Sequence, residues 1–142
     1  MIDVSNVVLR IVKEAVTAQF PDCYFTTSNP DSVTKNRVIS MTELDNYTYR
    51  GSLDDRDVEH HANVSFQFDV YSNNTNGKKE EAKAMMNLLD EALTSNRFTR
   101  TMCQPTPNID RSYYRITARY EAIVAKDFTD GNGDTINQIY RR

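Results

Sequence analysis

The sequence predicts an α+β fold, a single domain over residues 1–142 in which a mainly antiparallel or mixed sheet of about five strands packs with two α-helices. Two segments carry apolar residues at three- and four-residue steps, which is the period of an amphipathic helix. Five other segments are typical of strands, and the clearest alternates with a period of two. A length of 142 residues suits one domain. The predicted order is α-β-β-β-α-β-β.

The first element is a helix over residues 3–20. Asp3 or Ser5 is placed to cap its start, and Pro21 ends it. Its apolar residues form two stripes, which consist of Val4, Val8, Ile11, Ala15 and Ala18 and of Leu9, Val12, Val16 and Phe20. A helix that is apolar on two sides is either covered on both, by its own sheet and by a second partner, or sunk deep in the core.

Three strands follow this helix. The first covers residues 23–28, and a turn-rich stretch separates it from the second, over 37–44. The third, over 62–71, alternates most clearly and is predicted to bury one face. Its two faces carry Val64, Phe66, Phe68 and Val70 on one side and Asn63, Ser65, Gln67 and Asp69 on the other.

The second half of the chain predicts one helix and two strands. The helix covers 78–96 and has Glu80 and Glu81 near its start, where the helix dipole favours negative charge. Its apolar face consists of Ala82, Met85, Met86, Leu89, Ala92 and Leu93. A strand over 97–104 comes next. The last strand, over 112–127, is much longer than the typical ~5–6 residues, so we expect it to cross the centre of the sheet.

Two segments lie outside this compact pattern, an extended loop over 45–61 and a C-terminal arm over 128–142. The loop joins two strands that would otherwise form a simple hairpin, for which ~2–5 connecting residues are usual. Because a connection this long and this charged is atypical, we expect it to have a function.

The charge balance argues against nucleic-acid binding. The chain carries 17 basic and 20 acidic residues and a net charge of −3. Proteins that bind DNA or RNA without sequence preference draw most of their affinity from neutralising phosphates, and they usually carry a positive field. We therefore expect no specific nucleic-acid binding.

The cysteines and the N-terminal segment indicate the cellular compartment in which the protein is expected. Cys23 and Cys103 are far apart and belong to no CxxC motif, so they do not predict a zinc site. They are either two buried thiols in a reducing compartment or a disulfide. Arg10, Lys13 and Glu14 interrupt the N-terminal apolar residues, so we expect no signal peptide. No stretch approaches a membrane-spanning length, which predicts a soluble protein without a membrane partner.

Part of the C-terminal arm matches the start of a calcium-binding loop. Asp130, Asn132 and Asp134 have the alternating oxygen spacing that opens an EF-hand loop. However, Thr135 stands where that loop needs glycine, and Arg141 stands where it needs a bidentate glutamate. The sequence therefore predicts a tight turn between two short strands, and no metal site.

No catalytic site is predicted elsewhere. His60 and His61 are adjacent in a charged loop, and adjacent side chains of an extended segment point to opposite faces. Residues 54–57, DDRD, place three carboxylates around an arginine, but no phosphate-binding glycine loop is near them. The chain has none of the motifs GxGxxG, GxxxxGK[ST], GxSxG or HExxH. We expect no enzyme activity and no cofactor.

The stretch VSFQFDVYSNNTNGKKEEAKAMMNLLDEAL, residues 64–93, resembles the siphophage tail terminator, or tail-completion, family. The shared features are a strand ending in DVYS, a short polar loop, and a helix with EA near its start and LDEAL near its end. The strand SYYRITARYEAIV fits the same plan. These are patterns of packing and turn formation, not a catalytic signature.

This resemblance implies a structural role in the virion. Members of the family are α+β domains that assemble as a ring, typically a hexamer, at the head-proximal end of the tail tube. The ring ends tube polymerisation and presents a docking face to the head connector. The implied partners are further copies of the chain, the tail-tube protein and the head connector or stopper protein, with assembly in the host cytoplasm.

The loop and the arm are the expected contact regions, because tyrosine and arginine are favoured at interface hot spots. The candidate residues are Tyr47, Tyr49, Arg50, Asp54, Asp55, Arg56 and Asp57 in the loop, and Tyr140, Arg141 and Arg142 in the arm. Ordinary solvated residues are the alternative at each position. The alternatives for function are another neck protein, such as a stopper, and a small α+β enzyme, nucleic-acid or binding module.

Overall fold

The computed structural model describes residues 4–27, 36–48, 61–74, 77–106, 113–129 and 135–140, without the side chains of 47–48, 61–62, 125–129 and 135–140. It contains two helices and six strands. They are α1 Ser5–Thr17, β1 Tyr24–Thr26, β2 Arg37–Thr48, β3 His61–Ser72, α2 Lys78–Ser95, β4 Thr99–Pro105, β5 Tyr114–Thr129 and β6 Thr135–Tyr140. The predicted α+β class and the order of its first seven elements are confirmed, and β6 extends the order by one strand.

The sheet has the strand order β1-β2-β3-β5-β4, and β6 also pairs with β5. β1 and β2 are parallel, whereas every other pair is antiparallel. β3 pairs with residues 114–125 of β5, β4 with 116–121 and β6 with 123–129. Since a strand has two edges, β4 and β6 follow one another along the edge of β5 that β3 leaves open. The long strand is interior to the sheet, with partners on both edges, but the central strand of the path is β3 and not β5 as predicted.

Both helices contribute to the main core, which lies on one face of the sheet. Val38, Tyr71 and Tyr113 form a second, smaller buried cluster. The buried face of β3 consists of Val64, Phe66, Phe68 and Val70, as its alternation predicted. α2 buries five of its six predicted apolar residues, the exception being the half-buried Ala92. The ring of Phe68 meets that of Tyr120 edge to face, with centroids 5.9 Å apart. β3 and β5 thus form the floor under α2.

α1 differs from the prediction in its cap and in its buried side. Val4 is its N-cap and no side-chain capping hydrogen bond is made there, so the predicted cap by Ser5 is wrong, and the alternative cap Asp3 lies outside the described residues. The helix buries one row at four-residue steps, Val4, Val8, Val12 and Val16. The other predicted stripe residues are half-buried, or exposed in the case of Ala18. Because Val4 is itself in the core, packing sets where the helix begins.

The two outlying segments are shorter than predicted. β2 continues to Thr48 and β3 begins at His61, so both ends of the predicted loop 45–61 are paired backbone. A register shift between Glu43 and Asp45 absorbs one extra residue and allows the pairing to continue. The arm is also largely strand, because β5 ends at Thr129 and β6 follows in an antiparallel pair. The predicted turn at 130–134 lies outside the described residues.

Glycine is required at the start of α2. Gly77 is the N-cap and has a φ of 138°, a backbone conformation that side chains with a Cβ rarely adopt. A Cβ at this position would also lie 3.2 Å from Oε2 of Glu80. The polar loop before α2 can therefore turn directly into the helix.

The cysteines are two free thiols, so the disulfide alternative is not realised. Cys23 is buried, but Cys103 is exposed, so the prediction of two buried thiols is wrong for Cys103. The reason is its place on β4, which forms one end of the sheet path. Burial raises the pKa of the Cys23 thiol to about 12. Neither helix that the structure describes is long and apolar enough to span a membrane.

Candidate protein interaction surface

The predicted contact residues lie mainly outside the described part of the chain. Tyr47 belongs to β2, opposite Asn63, and Tyr140 belongs to β6, opposite Ile123, but the side chains of both tyrosines are not described. The residues without a described position are Tyr49, Arg50, Asp54, Asp55, Arg56, Asp57, Arg141 and Arg142, together with His60. All of these contacts stay predictions.

The strand register nevertheless brings the two predicted contact regions together. Thr48, at the end of β2, pairs with Ala62, and His61, at the start of β3, pairs with Ala125. Thr129, at the end of β5, pairs with Thr135 at the start of β6. The end of β2, the start of β3, the end of β5 and the start of β6 therefore lie at the same end of the sheet, which we call the hairpin end. The connections 49–60 and 130–134 lie outside the described residues.

A polar network lies on the face of the sheet opposite the helices. Asp69, on β3, has no solvent exposure. Its Oδ1 accepts a hydrogen bond from Nε of Arg115 at 3.0 Å and one from Oγ1 of Thr117 at 2.6 Å, both from the neighbouring β5. A buried carboxylate needs such partners, because transfer from water without them costs far more than it does for a neutral group. The Asp69 carboxylate therefore finds its partners inside the fold.

The network continues across three strands. The amide of Gln67 donates to Oδ2 of Asp69 at 3.1 Å and accepts from Nε of Arg119 at 3.0 Å. Oγ1 of Thr106, just after β4, donates to Thr117 at 2.6 Å. These bonds hold β3, β5 and the end of β4 in register, which indicates a structural role. The sequence predicted only that Gln67 and Asp69 lie on the polar face of a strand.

A second buried ion pair joins α2 to the strands. Glu81 accepts from Nε and Nη2 of Arg37 at 2.8 and 3.1 Å. It also accepts from Ser72 at 2.9 Å and from the side-chain amide of Asn74 at 2.7 Å. Burial pushes the pKa of Glu81 up, but the hydrogen bonds from Arg37, Asn74 and Ser72 together outweigh it and the pKa is lowered. The helix start is thus fixed to β2 and β3.

This ion pair predicts a pH dependence of stability. Because the pKa of Glu81 is lowered in the folded state, its contribution is complete above the unfolded value of 4.5 and is lost as the pH falls through the folded value. We expect the melting temperature of the wild type to fall more steeply below pH 4.5 than that of Glu81→Gln. Glu80→Gln is the control, since Glu80 is exposed in the same helical turn. Parallel curves for all three proteins would contradict this assignment.

A pocket of about 260 Å³ opens on the helix side of the sheet, between α2 and β4. Met86, Ile116 and Tyr114 are among its apolar lining residues, and Lys83, Arg100 and Cys103 are among its exposed ones. These residues come from three separate elements, so no local sequence pattern could have revealed the pocket.

Asp90 fixes the position of one side of this pocket. The hydroxyl of Tyr120 donates to Oδ1 of Asp90 at 2.6 Å, and Nη1 of Arg100 lies 3.4 Å from the same oxygen. Burial and then the bond to Asp90 raise the pKa of Tyr120, so the phenol stays protonated and keeps donating. Arg100 is thereby held over the pocket while its side chain is still 49% exposed.

The β1 side of the sheet, opposite the β4 side, presents a different surface. Tyr24 of β1 is 50% exposed, more than any other large apolar side chain in the described ranges. Asp22 lies two residues earlier, with 62% of its side chain exposed, and forms a salt bridge with Arg37. The sequence predicted the strand that contains Tyr24 but had no signal for its exposure. In the described part of the chain, no group of three metal-ligating residues is present.

Comparisons with known proteins leave the family open. No protein-family model and no curated protein matches the chain. Among solved structures it is similar to the sheath/tube terminator of an extracellular contractile injection system, PVC, determined by cryo-EM in the extended state. The similarity covers 94% of this chain and 57% of that chain, with 12% sequence identity and a TM-score of 0.38. The chain thus spans little more than half of that neighbour, and likeness at this level transfers no function.

Proposed function

We propose that this chain is a structural protein of a virion tail, a terminator subunit that assembles into a ring. The ring would cap the head-proximal end of the tail tube, end its polymerisation and offer a docking face to the head connector. This is the role that residues 64–93 imply by resemblance. The observation that carries it is the hairpin end, where the end of β2 and the start of β3 lie beside the end of β5 and the start of β6.

Two directions of contact follow from this arrangement. The first direction is along the strand axes, at the hairpin end. There the predicted residues of the loop and the arm, such as Tyr49 and Arg56, would meet the tube or the connector. The second direction is perpendicular to the strands, towards the first and last strands of the path, β1 and β4. Contacts with neighbouring copies in a ring would use these two sides. A ring subunit needs both directions at once, because it touches its neighbours laterally and its partners axially.

The buried carboxylates favour this role over catalysis. Asp69 and Glu81 are the buried acidic residues of the described chain, and each is paired with an arginine inside the fold. Neither lines the pocket between α2 and β4. Catalytic acids usually face a cleft where substrate can reach them. Here both hold strands and helices together.

Light scattering on the purified protein, alone and mixed with tail-tube subunits, tests the proposal. A hexamer of the 16.4 kDa chain would have a mass of about 98 kDa. We expect a ring-sized species, formed either alone or only with tube subunits, and shorter or capped tubes by electron microscopy. A protein that stays monomeric and leaves tube length unchanged would overturn the proposal. Binding to the portal side instead of the tube would indicate the stopper alternative.

A further inference from the structure

The pocket between α2 and β4 lies beside an open edge of the sheet. β4 is the last strand of the path, and no described strand pairs with its outer edge. Five of its seven residues are exposed. On the other side of the pocket, α2 contributes Met86 and Asn87. An open edge strand next to a pocket is the arrangement in which a protein binds an extended segment by strand addition, since the backbone gives affinity and the pocket gives specificity.

The hydrogen-bond register shows which backbone groups of β4 face outward. The N–H of Thr106, just after β4, donates to the carbonyl of Arg115 on β5 at 2.9 Å. Ladder bonds recur at every second residue of an antiparallel pair, so the backbone groups of Gln104 and Met102 also face β5. Cys103 lies between these two, and its N–H and C=O therefore point away from β5. A partner strand at this edge would exchange two hydrogen bonds with Cys103.

Two features limit the length of the open stretch. The register of β4 shifts between Arg100 and Met102, and Pro105 has no N–H to donate. Such devices protect an edge strand against pairing along its whole length. The stretch around Cys103 is left between them, and it borders the pocket. The edge therefore suits a short segment and not a long strand.

The charges beside the pocket favour an acidic segment. Lys79 and Lys83 lie one turn apart on α2, both are exposed, and neither forms an ion pair within the described ranges. Lys79 stands in the first turn of α2, where the helix dipole disfavours a positive charge, so helix stability does not account for it. Arg100 does not add to this charge, because Asp90 already pairs with it.

We propose that this pocket and the open edge at Cys103, together the α2–β4 groove, bind a short, extended, acidic segment of a partner protein. The segment adds as a strand beside Cys103, and one apolar side chain enters the pocket against Met86. The pocket volume of about 260 Å³ is below the ~300–1,000 Å³ of sites for drug-sized ligands and suits one side chain. Carboxylates on the same face of the segment meet Lys79 and Lys83. The groove is complete within one chain, so this inference does not depend on the proposed ring.

A capped, fluorescently labelled peptide of sequence TDTLTDT is the probe. Its alternation puts the leucine and both aspartates on one face of a strand. Fluorescence anisotropy is expected to show binding below ~1 mM, at least ~10-fold weaker for the control peptide TKTLTKT. Alkylation of the exposed Cys103 thiol is the second readout, and bound peptide should slow it. Cys23 does not interfere, because its thiol is buried and its pKa is raised to about 12.

Substitutions at Cys103 separate the backbone contact from the pocket. Cys103→Pro removes the outward N–H without breaking a bond to β5, and Cys103→Trp fills the pocket; each should weaken peptide binding at least ~10-fold. Cys103→Ala keeps the N–H and the pocket and should bind as the wild type does. Glu91→Trp adds the same bulk at an exposed position of α2 outside the pocket and is the matched control. Circular dichroism checks folding. If the proline or tryptophan variant does not fold, Lys83→Glu carries the test and should reverse the preference towards TKTLTKT.

Two outcomes would overturn the inference. The first is no binding of TDTLTDT below ~1 mM, or equal binding by the wild type, Cys103→Pro and Cys103→Trp. The second is self-association of the wild type, seen by light scattering, that Cys103→Trp abolishes, because a second copy and not a separate partner would then occupy the groove. The first outcome leaves the proposed function intact, since a ring does not require this segment.

Discussion

Replacing Phe68 by alanine is expected to lower the free energy of unfolding by about 3–5 kcal/mol, the range for truncating a buried aromatic residue. Phe68 is fully buried in β3, a strand flanked by β2 and β5. Its ring packs edge to face on Tyr120 beneath the helices. The loss has two parts, the transfer free energy of the ring and the cavity that rigid neighbours cannot close. Urea denaturation followed by circular dichroism measures it.

Tyr24→Ala is the matched control for this substitution. It removes a similar aromatic side chain from an exposed position at the end of the sheet, where substitutions usually change stability by less than ~0.5 kcal/mol. A small change at Tyr24 and a large one at Phe68 would confirm which ring belongs to the core. A loss below ~1.5 kcal/mol at Phe68 would contradict the core described here, since only volume-conserving changes are that mild.

Replacing Asp69 by alanine is expected to cost about 3 kcal/mol, because breaking a buried ion pair leaves the other charge uncompensated. Arg115 would lose its carboxylate partner, and the Thr117 hydroxyl would lose its acceptor. Arg115 is 23% exposed and can recover some solvation, which places the estimate at the lower end of the usual range. The free energy of unfolding in urea checks this value.

Asp45→Ala is the control for charge removal, since Asp45 is exposed on β2. We expect a change within ~0.5 kcal/mol there. Asp69→Asn preserves the shape but not the charge, so it should be nearly as harmful as the alanine if charge pairing with Arg115 is what matters. If Asp69→Asn keeps wild-type stability, hydrogen bonding and not charge holds this network together.

The local elements were predictable because their signals are local. The alternation in 62–71 predicted which side of β3 is buried, and the three- and four-residue spacing in 78–96 predicted the apolar face of α2. Side-chain direction in a strand or a helix depends on the backbone period alone. The predicted cap by Ser5 failed because the N-cap is Val4, whose side chain is buried in the core.

The extent of the strands was harder to predict. The register shift next to Leu44 interrupts the alternation of β2, so the alternating sequence pattern ends before the strand does. Pairing with β3 supplies the hydrogen bonds that carry β2 on to Thr48. In the C-terminal arm the sequence predicts two short strands around a turn, but it does not predict that the second pairs with the long strand as far back as Ile123.

The sequence by itself determined the α+β class, the order of its elements and the faces that are buried, because these follow from short-range periodicity. Only the tertiary structure decided the polar network, the pocket and the hairpin end. Asp69 finds Arg115 and Thr117 at separations of 46 and 48 residues. Tyr24 and the pocket lie at opposite ends of the sheet only because of its strand order. Strand pairing sets such distances, and pairing partners are not encoded in a local period.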